Sequence, residues 1–187
     1  MSAPLKLRAE DEEDYGVVAA CLQDALVPVG EMQYLADEKA FVLVANRFRW
    51  ENCSEAFDSP PAQPQEAPQP EVPDAMFVAC QAYERVNCAL RIDGVAQVKR
   101  RGFDPKDRAR VLEILHIGMT PAGATQAAVE LLFAGDAAIR LEGGALICRL
   151  QDMGEPWPTL WRPRHVPEDA TSDATRDAPG GAPGGAA

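Results

Sequence analysis

No apolar run in this chain approaches the roughly 20 residues that a membrane-spanning helix requires. Its first residues, MSAPLKLRAEDEEDY, lack the basic and apolar regions of a secretory leader. The expectation is a cytoplasmic protein with no membrane association. Histidine is scarce, with His116 and His165 the two in the chain, so acid–base chemistry near neutral pH has few groups to use. Cysteine is odd in number and scattered: Cys21, Cys53, Cys80, Cys88 and Cys148 form no CxxC and never flank histidine at ligand spacing. That removes the zinc, iron–sulfur and thioredoxin-like readings and leaves most of them as small core hydrophobes. GxSxG, HExxH, GxxxxGK and GxGxxG are absent as well. The acidic run AEDEED at 9–14 reads as a helix start whose acids complement the dipole, rather than as a metal site. No cofactor, metal or catalytic residue is expected, and an enzyme is the less favoured reading.

What is present suits one globular domain with trimmings. The 187 residues are 47% hydrophobic, enough to bury a core. The net charge of -11 is unevenly spread. Glu51, Glu55, Asp58, Glu66, Glu71 and Asp74 lie in a stretch without Lys or Arg. Glu168, Asp169, Asp173 and Asp177 face Arg176 alone, and the remainder is close to neutral. SPPAQPQEAPQPEVPD at 59–74 is extended and unable to pack, and the tail ending PGGAPGGAA buries nothing. The boundaries expected are a domain over 1–167, interrupted by a Pro-rich acidic loop at 51–80, and a disordered tail over 168–187.

Periodicity fills in the domain. LKLRA (5–9) reads as a short strand, followed by a helix in which Val17, Val18, Cys21, Leu22 and Ala25 recur at helical spacing. Gly30 and the ADEK turn at 36–39 separate short apolar runs, which implies an antiparallel meander with Pro28 at a strand edge or end. Asp93-Gly94 marks a hairpin turn or a bulge, VLEILHIGMTP (111–121) a strand, and Ala134-Gly135-Asp136 the turn of a further hairpin. In GGALICRLQDMG, Leu146, Ile147 and Leu150 with Gly154 as a C-terminal cap suggest a closing helix. The fold class expected is therefore α+β and mainly antiparallel β, a curled sheet or split barrel. An N-terminal helix and a C-terminal capping helix make it resemble the pleckstrin-homology-like superfold, an analogy that carries no function.

Three places carry candidate chemistry. In FVLVANRFRWE (41–51) strand alternation puts Phe41, Leu43, Ala45, Arg47 and Arg49 on one face and Val42, Val44, Asn46, Phe48 and Trp50 on the other. Arg47 and Arg49, with His116, could hold a carboxylate or phosphate at a rim. Alternatively they pair with strand acids such as Glu130 or Glu113 while Phe48 and Trp50 finish the core, and His116 is an interstrand imidazole. KRRGFDPKDRAR (99–110) gathers Lys99, Arg100, Arg101, Lys106, Arg108 and Arg110, a phosphate-binding or merely solvated loop. In PWPTLWRPRHVP (156–167), Trp157 and Trp161 either pack onto the sheet or meet a partner, and the prolines speak against helix and central strand.

The run PLKLRAEDEEDYGVVAACLQDALVPVGEMQYLADEKAFVLVANRFRWE, with AVELLFAGDAAIRLE and the closing Trp161, Arg162, Pro163, His165 and Pro167, is similar to domain-of-unknown-function family 2948, a family of alphaproteobacteria. The resemblance implies a bacterial cytoplasmic origin and an insert dispensable to any shared role; it carries no activity. The function expected is a non-catalytic interaction module for an unidentified protein partner. A small-ligand or anion binder using Arg47, Arg49 and His116 is the alternative, and nucleic-acid binding through 99–110 ranks third, disfavoured by the overall charge.

Overall fold

Asp11 opens the one α-helix among the described residues as an N-cap, its Oδ1 accepting from the Asp14 backbone N–H at 2.9 Å, with Glu12, Glu13 and Asp14 in the first turn where the dipole favours them. The computed structural model describes residues 4–52, 83–121, 126–159 and 163. Most of the Pro-rich loop, the tail, Trp161 and His165 lie outside them. The described elements are β1 (Lys6–Ala9), α1 (Glu12–Leu22), β2 (Leu26–Pro28), β3 (Met32–Leu35), β4 (Ala40–Phe48), β5 (Tyr83–Arg101), β6 (Val111–Pro121), β7 (Ala127–Phe133) and β8 (Ala138–Thr159), with 3-10 turns at Val29–Glu31 and Trp50–Asn52.

Every pairing is antiparallel. The path β1-β8-β5-β4-β2-β6-β7 meets itself again because β7 also pairs β8, while β3 hangs on β4. The sheet is thus ring-like, but the β2–β4 join is the single pair Leu26↔Asn46, too slight for a barrel. Its inner face and the α1 residues Tyr15, Val18 and Leu22 form one core cluster with Leu43, Leu90, Ile114, Leu131, Leu141 and Leu150. Val17, which the spacing assigns to that face, is exposed; the buried stripe of α1 runs at i, i+3 and i+7.

The expected closing helix is instead the second half of a 22-residue strand, β8. Leu146, Cys148, Leu150 and Asp152 are buried in strict alternation, and β8 pairs β1 on one side and β5 on the other. Two adjacent apolar residues, Leu146 and Ile147, suggested a helical stripe; burial picks the period of two, because a strand here finds partners on both edges. Gly154 does carry positive φ, at +76°, but for a bulge: β8 steps from Met153 to Trp157 while β5 steps from Asn87 to Arg85. Gly94, at φ +83°, serves a second bulge, at which β5 and β8 bend together. Asp93-Gly94 is therefore a bulge rather than a hairpin turn. Beyond Trp157, Pro158 pairs opposite Glu84, where among the described residues β8 has β5 as its one neighbour. An edge position of that kind tolerates proline in a strand.

Candidate functional site

β4 alternates as its sequence requires, but the arginine face is the inner one. Phe41, Leu43 and Ala45 belong to the core, and Arg47 continues their stripe with a side chain 0% exposed. A buried guanidinium needs partners for all five N–H donors, and Arg47 has them. Nε and Nη2 donate to Asp152 at 2.7 and 2.8 Å, Nη1 and Nη2 to Glu51 at 3.0 and 2.8 Å, and Nη1 to the Phe48 carbonyl at 3.4 Å. Asp152 lies two strands away, opposite Cys88, which is itself opposite Ala45. Its Oδ2 also accepts from the Leu5 backbone N–H at 3.0 Å, tying β1 into the site. Burial alone would pull the Arg47 pKa down, but hydrogen bonds from Arg47 to Asp152 and Glu51 outweigh it and hold the charge.

Arg49 is nearly as buried and shares Glu51 with Arg47 while reaching outward to a further acid, donating to Glu51 at 3.4 Å and to Glu84 at 2.7 Å. Asn52 Nδ2 also donates to Glu84 at 2.7 Å, and the Arg49 backbone N–H donates to the Glu84 carbonyl at 2.9 Å. Residues on both sides of segment 53–82 are thus stapled to each other and to the core. Glu51 feels burial, which raises its pKa, but donors from Arg47, its own backbone and Arg49 hold it below the usual carboxylate range. The strand acids considered from sequence lie elsewhere: Glu130 pairs with Arg140, and Glu113 acts at a distance on Arg85. Beneath this network burial pushes the Cys88 thiol up to about 12, partly offset by Arg47, and pushes Cys148 up to about 12 as well. Neither is a ready nucleophile.

Phe48 is fully buried on the opposite face of β4, outside the main core cluster. Its ring meets Trp50 at 4.6 Å and Tyr83 at 5.5 Å, with the Arg85 guanidinium 5.9 Å from its centroid. The aromatics therefore finish a satellite cluster rather than the core itself. Trp157 is partly exposed on β8, opposite Arg85. His116 stands exposed on β6 at a bulge, with its ring over Gly118, and takes no part in the hydrogen bonds of Arg47.

The basic stretch divides. Lys99 pairs with Glu142 at 2.8 Å, and Arg108 Nη2 donates to the Gly30 carbonyl at 2.6 Å. The side chains of Arg100 and Arg101 make no hydrogen bond or ion pair among the described residues. Arg100 and Arg108 line a cleft of about 360 Å³ that also includes Met32, Gln33, Tyr34, Phe41, Gln97, Val98, Phe103 and Ile139. Among the described residues β3 pairs with β4 alone, and Gln97–Arg101 of β5 pair with β8 alone. Each strand thus leaves an edge without a ladder, and both edges border this cleft. One end is pinned by Tyr34 Oη donating to the Val95 carbonyl at 3.0 Å and by the Val95 N–H donating to the Lys39 carbonyl at 2.8 Å. Lys99, Arg100 and Arg101 also border a shallower hollow of about 250 Å³ with Glu130 and Arg140. Sequence reasoning named the cations but missed the cleft, because the bend at Gly94 that brings β5 opposite β3 has no local signature beyond the glycine. Among the described residues no cluster of His, Cys, Asp and Glu could hold a metal, and no helix is long and apolar enough to cross a membrane.

A family model described as Protein of unknown function (DUF2948) matches residues 5–165. No curated protein and no solved structure matches the chain.

Proposed function

Because the chain belongs to the DUF2948 family, whose description lends it no activity, we propose from the geometry that it is a non-catalytic protein-interaction module. It accepts an extended segment of a partner in the cleft between β3 and β5. One observation carries this reading: two strand edges without a ladder among the described residues border the same cleft, over an apolar floor of Phe41, Val98 and Ile139. Open edges are templates for strand addition, in which main-chain hydrogen bonds supply affinity and alternate side chains supply specificity. The arginine pair supports the anion-binding alternative poorly, since every donor of Arg47 is already engaged. Likeness to pleckstrin-homology-like modules enters this proposal only through the shared idea of an antiparallel sheet offering an edge. A cytoplasmic setting belongs to the proposal too.

A displayed library of random peptides, selected against the full chain, tests the reading. Enriched peptides should lose roughly tenfold or more in affinity for Val98→Asp and bind Val17→Asp, altered on the exposed side of α1, as they bind wild type. Absence of enrichment, or binders indifferent to Val98→Asp, would overturn it.

A further inference from the structure

The chain is acidic overall, yet the cleft is lined by Arg100 and Arg108 and by no acid. Arg108 is committed to the Gly30 carbonyl. The Arg100 side chain makes no hydrogen bond or ion pair among the described residues, and it stands two residues from Val98 on β5, with Ala96 beyond at the register shift between Val95 and Gln97, all three lining the cleft. Opposite residues of paired strands share a face, so a strand added along this edge would set two apolar side chains against Ala96 and Val98 and its next alternate residue against Arg100. A guanidinium at that place is best met by a carboxylate, bidentately and with charge assistance. The local field agrees, because 99–110 holds six bases against Asp104 and Asp107.

We infer that the partner segment, on the reading that the cleft binds an extended peptide, is acidic: an Asp or Glu spaced two residues from an alternating apolar pair, its carboxylate on Arg100. Every pairing in this sheet is antiparallel, and in that sense the acid precedes the apolar pair along the partner.

The test is fluorescence anisotropy of the full chain with labelled, end-capped peptides of pattern Thr-Glu-Thr-Val-Thr-Val-Thr, its Gln counterpart, and both in reversed order. Expected is a preference for Glu over Gln of about tenfold at low salt, shrinking as salt screens it and vanishing in Arg100→Ala, which still binds the Gln peptide. Equal affinities for Glu and Gln would overturn the acidic partner while leaving peptide binding intact. A Glu preference that survives Arg100→Ala but disappears in Arg101→Ala would move the carboxylate out of the cleft and overturn the inference. Failure of all four peptides to bind wild type would instead overturn the interaction-module reading on which it rests.

Discussion

Among the described residues Arg47 is the largest fully buried side chain, and it is a charged one. Removing one partner of a buried ion pair leaves the other charge uncompensated, which destabilises by roughly 3–5 kcal/mol. Arg47→Ala strands Asp152, whose side chain is 4% exposed. Its Tm should fall on the order of 10 °C. The double variant Arg47→Met/Asp152→Leu should lose less than the single one, since it removes both charges and keeps volume. Urea unfolding gives the comparison, and a loss below about 1 kcal/mol for Arg47→Ala would mean that the clamp contributes little. Glu51 adds a pH dependence. Its folded pKa is held below the ordinary value, so the folded state releases that proton more readily than the unfolded chain does. The stabilisation is complete at neutral pH and is lost as pH falls through the acidic interval below the ordinary Glu value. Glu51→Gln should flatten the decline of the urea midpoint over that interval; an unchanged slope would remove Glu51 from the account.

At the scale of elements, β5 and β8 are long because glycines let them bend rather than stop. A Cβ at Gly94, where φ is +83°, would overlap the Ala145 carbonyl oxygen, whereas at Gly154, with φ +76°, nothing lies within 4 Å. Gly154→Ala should therefore cost only the left-handed backbone penalty, about 1–2 kcal/mol. Gly94→Ala carries the same penalty plus a steric clash with main chain and should destabilise clearly more in the same measurement. Equal losses would show that the bend tolerates a side chain. Both glycines were visible as punctuation. Which kind of turn, cap or bulge each served depended on partner strands that local sequence does not contain.

For the whole molecule, the staple of Arg49, Asn52 and Glu84 holds residues 52 and 83 near each other whatever connects them. Replacing 54–81 by a linker of about six Gly and Ser residues should leave the fold intact. Shortening the closed loop about fourfold should raise stability by about 1.2 kcal/mol. Thermal unfolding checks this, and loss of the cooperative transition would show that the segment is part of the folded unit.

Much was legible beforehand: β1, α1 with its acidic first turn, the β3–β4 and β7–β8 hairpins, and the two faces of β4. Those readings rest on interactions within a few residues. The arginine site was half legible. Phe41, Leu43, Ala45 and Arg47 form one stripe that ends in a cation, and Leu146, Cys148, Leu150 and Asp152 form another that ends in an acid. Two apolar stripes ending in opposite charges are a signal for a buried pair, and a helical reading of GGALICRLQDMG hides it.

The sequence by itself determined the mainly antiparallel class, the start of α1, and the glycines that punctuate the strands, because each is encoded in local spacing. Only the tertiary structure decided which face of β4 is inside, that Arg47 meets Asp152 across Cys88, and that β3 and β5 border one cleft. Those relations join residues up to about a hundred positions apart, and they follow from how the sheet bends and meets itself, which no short-range pattern specifies.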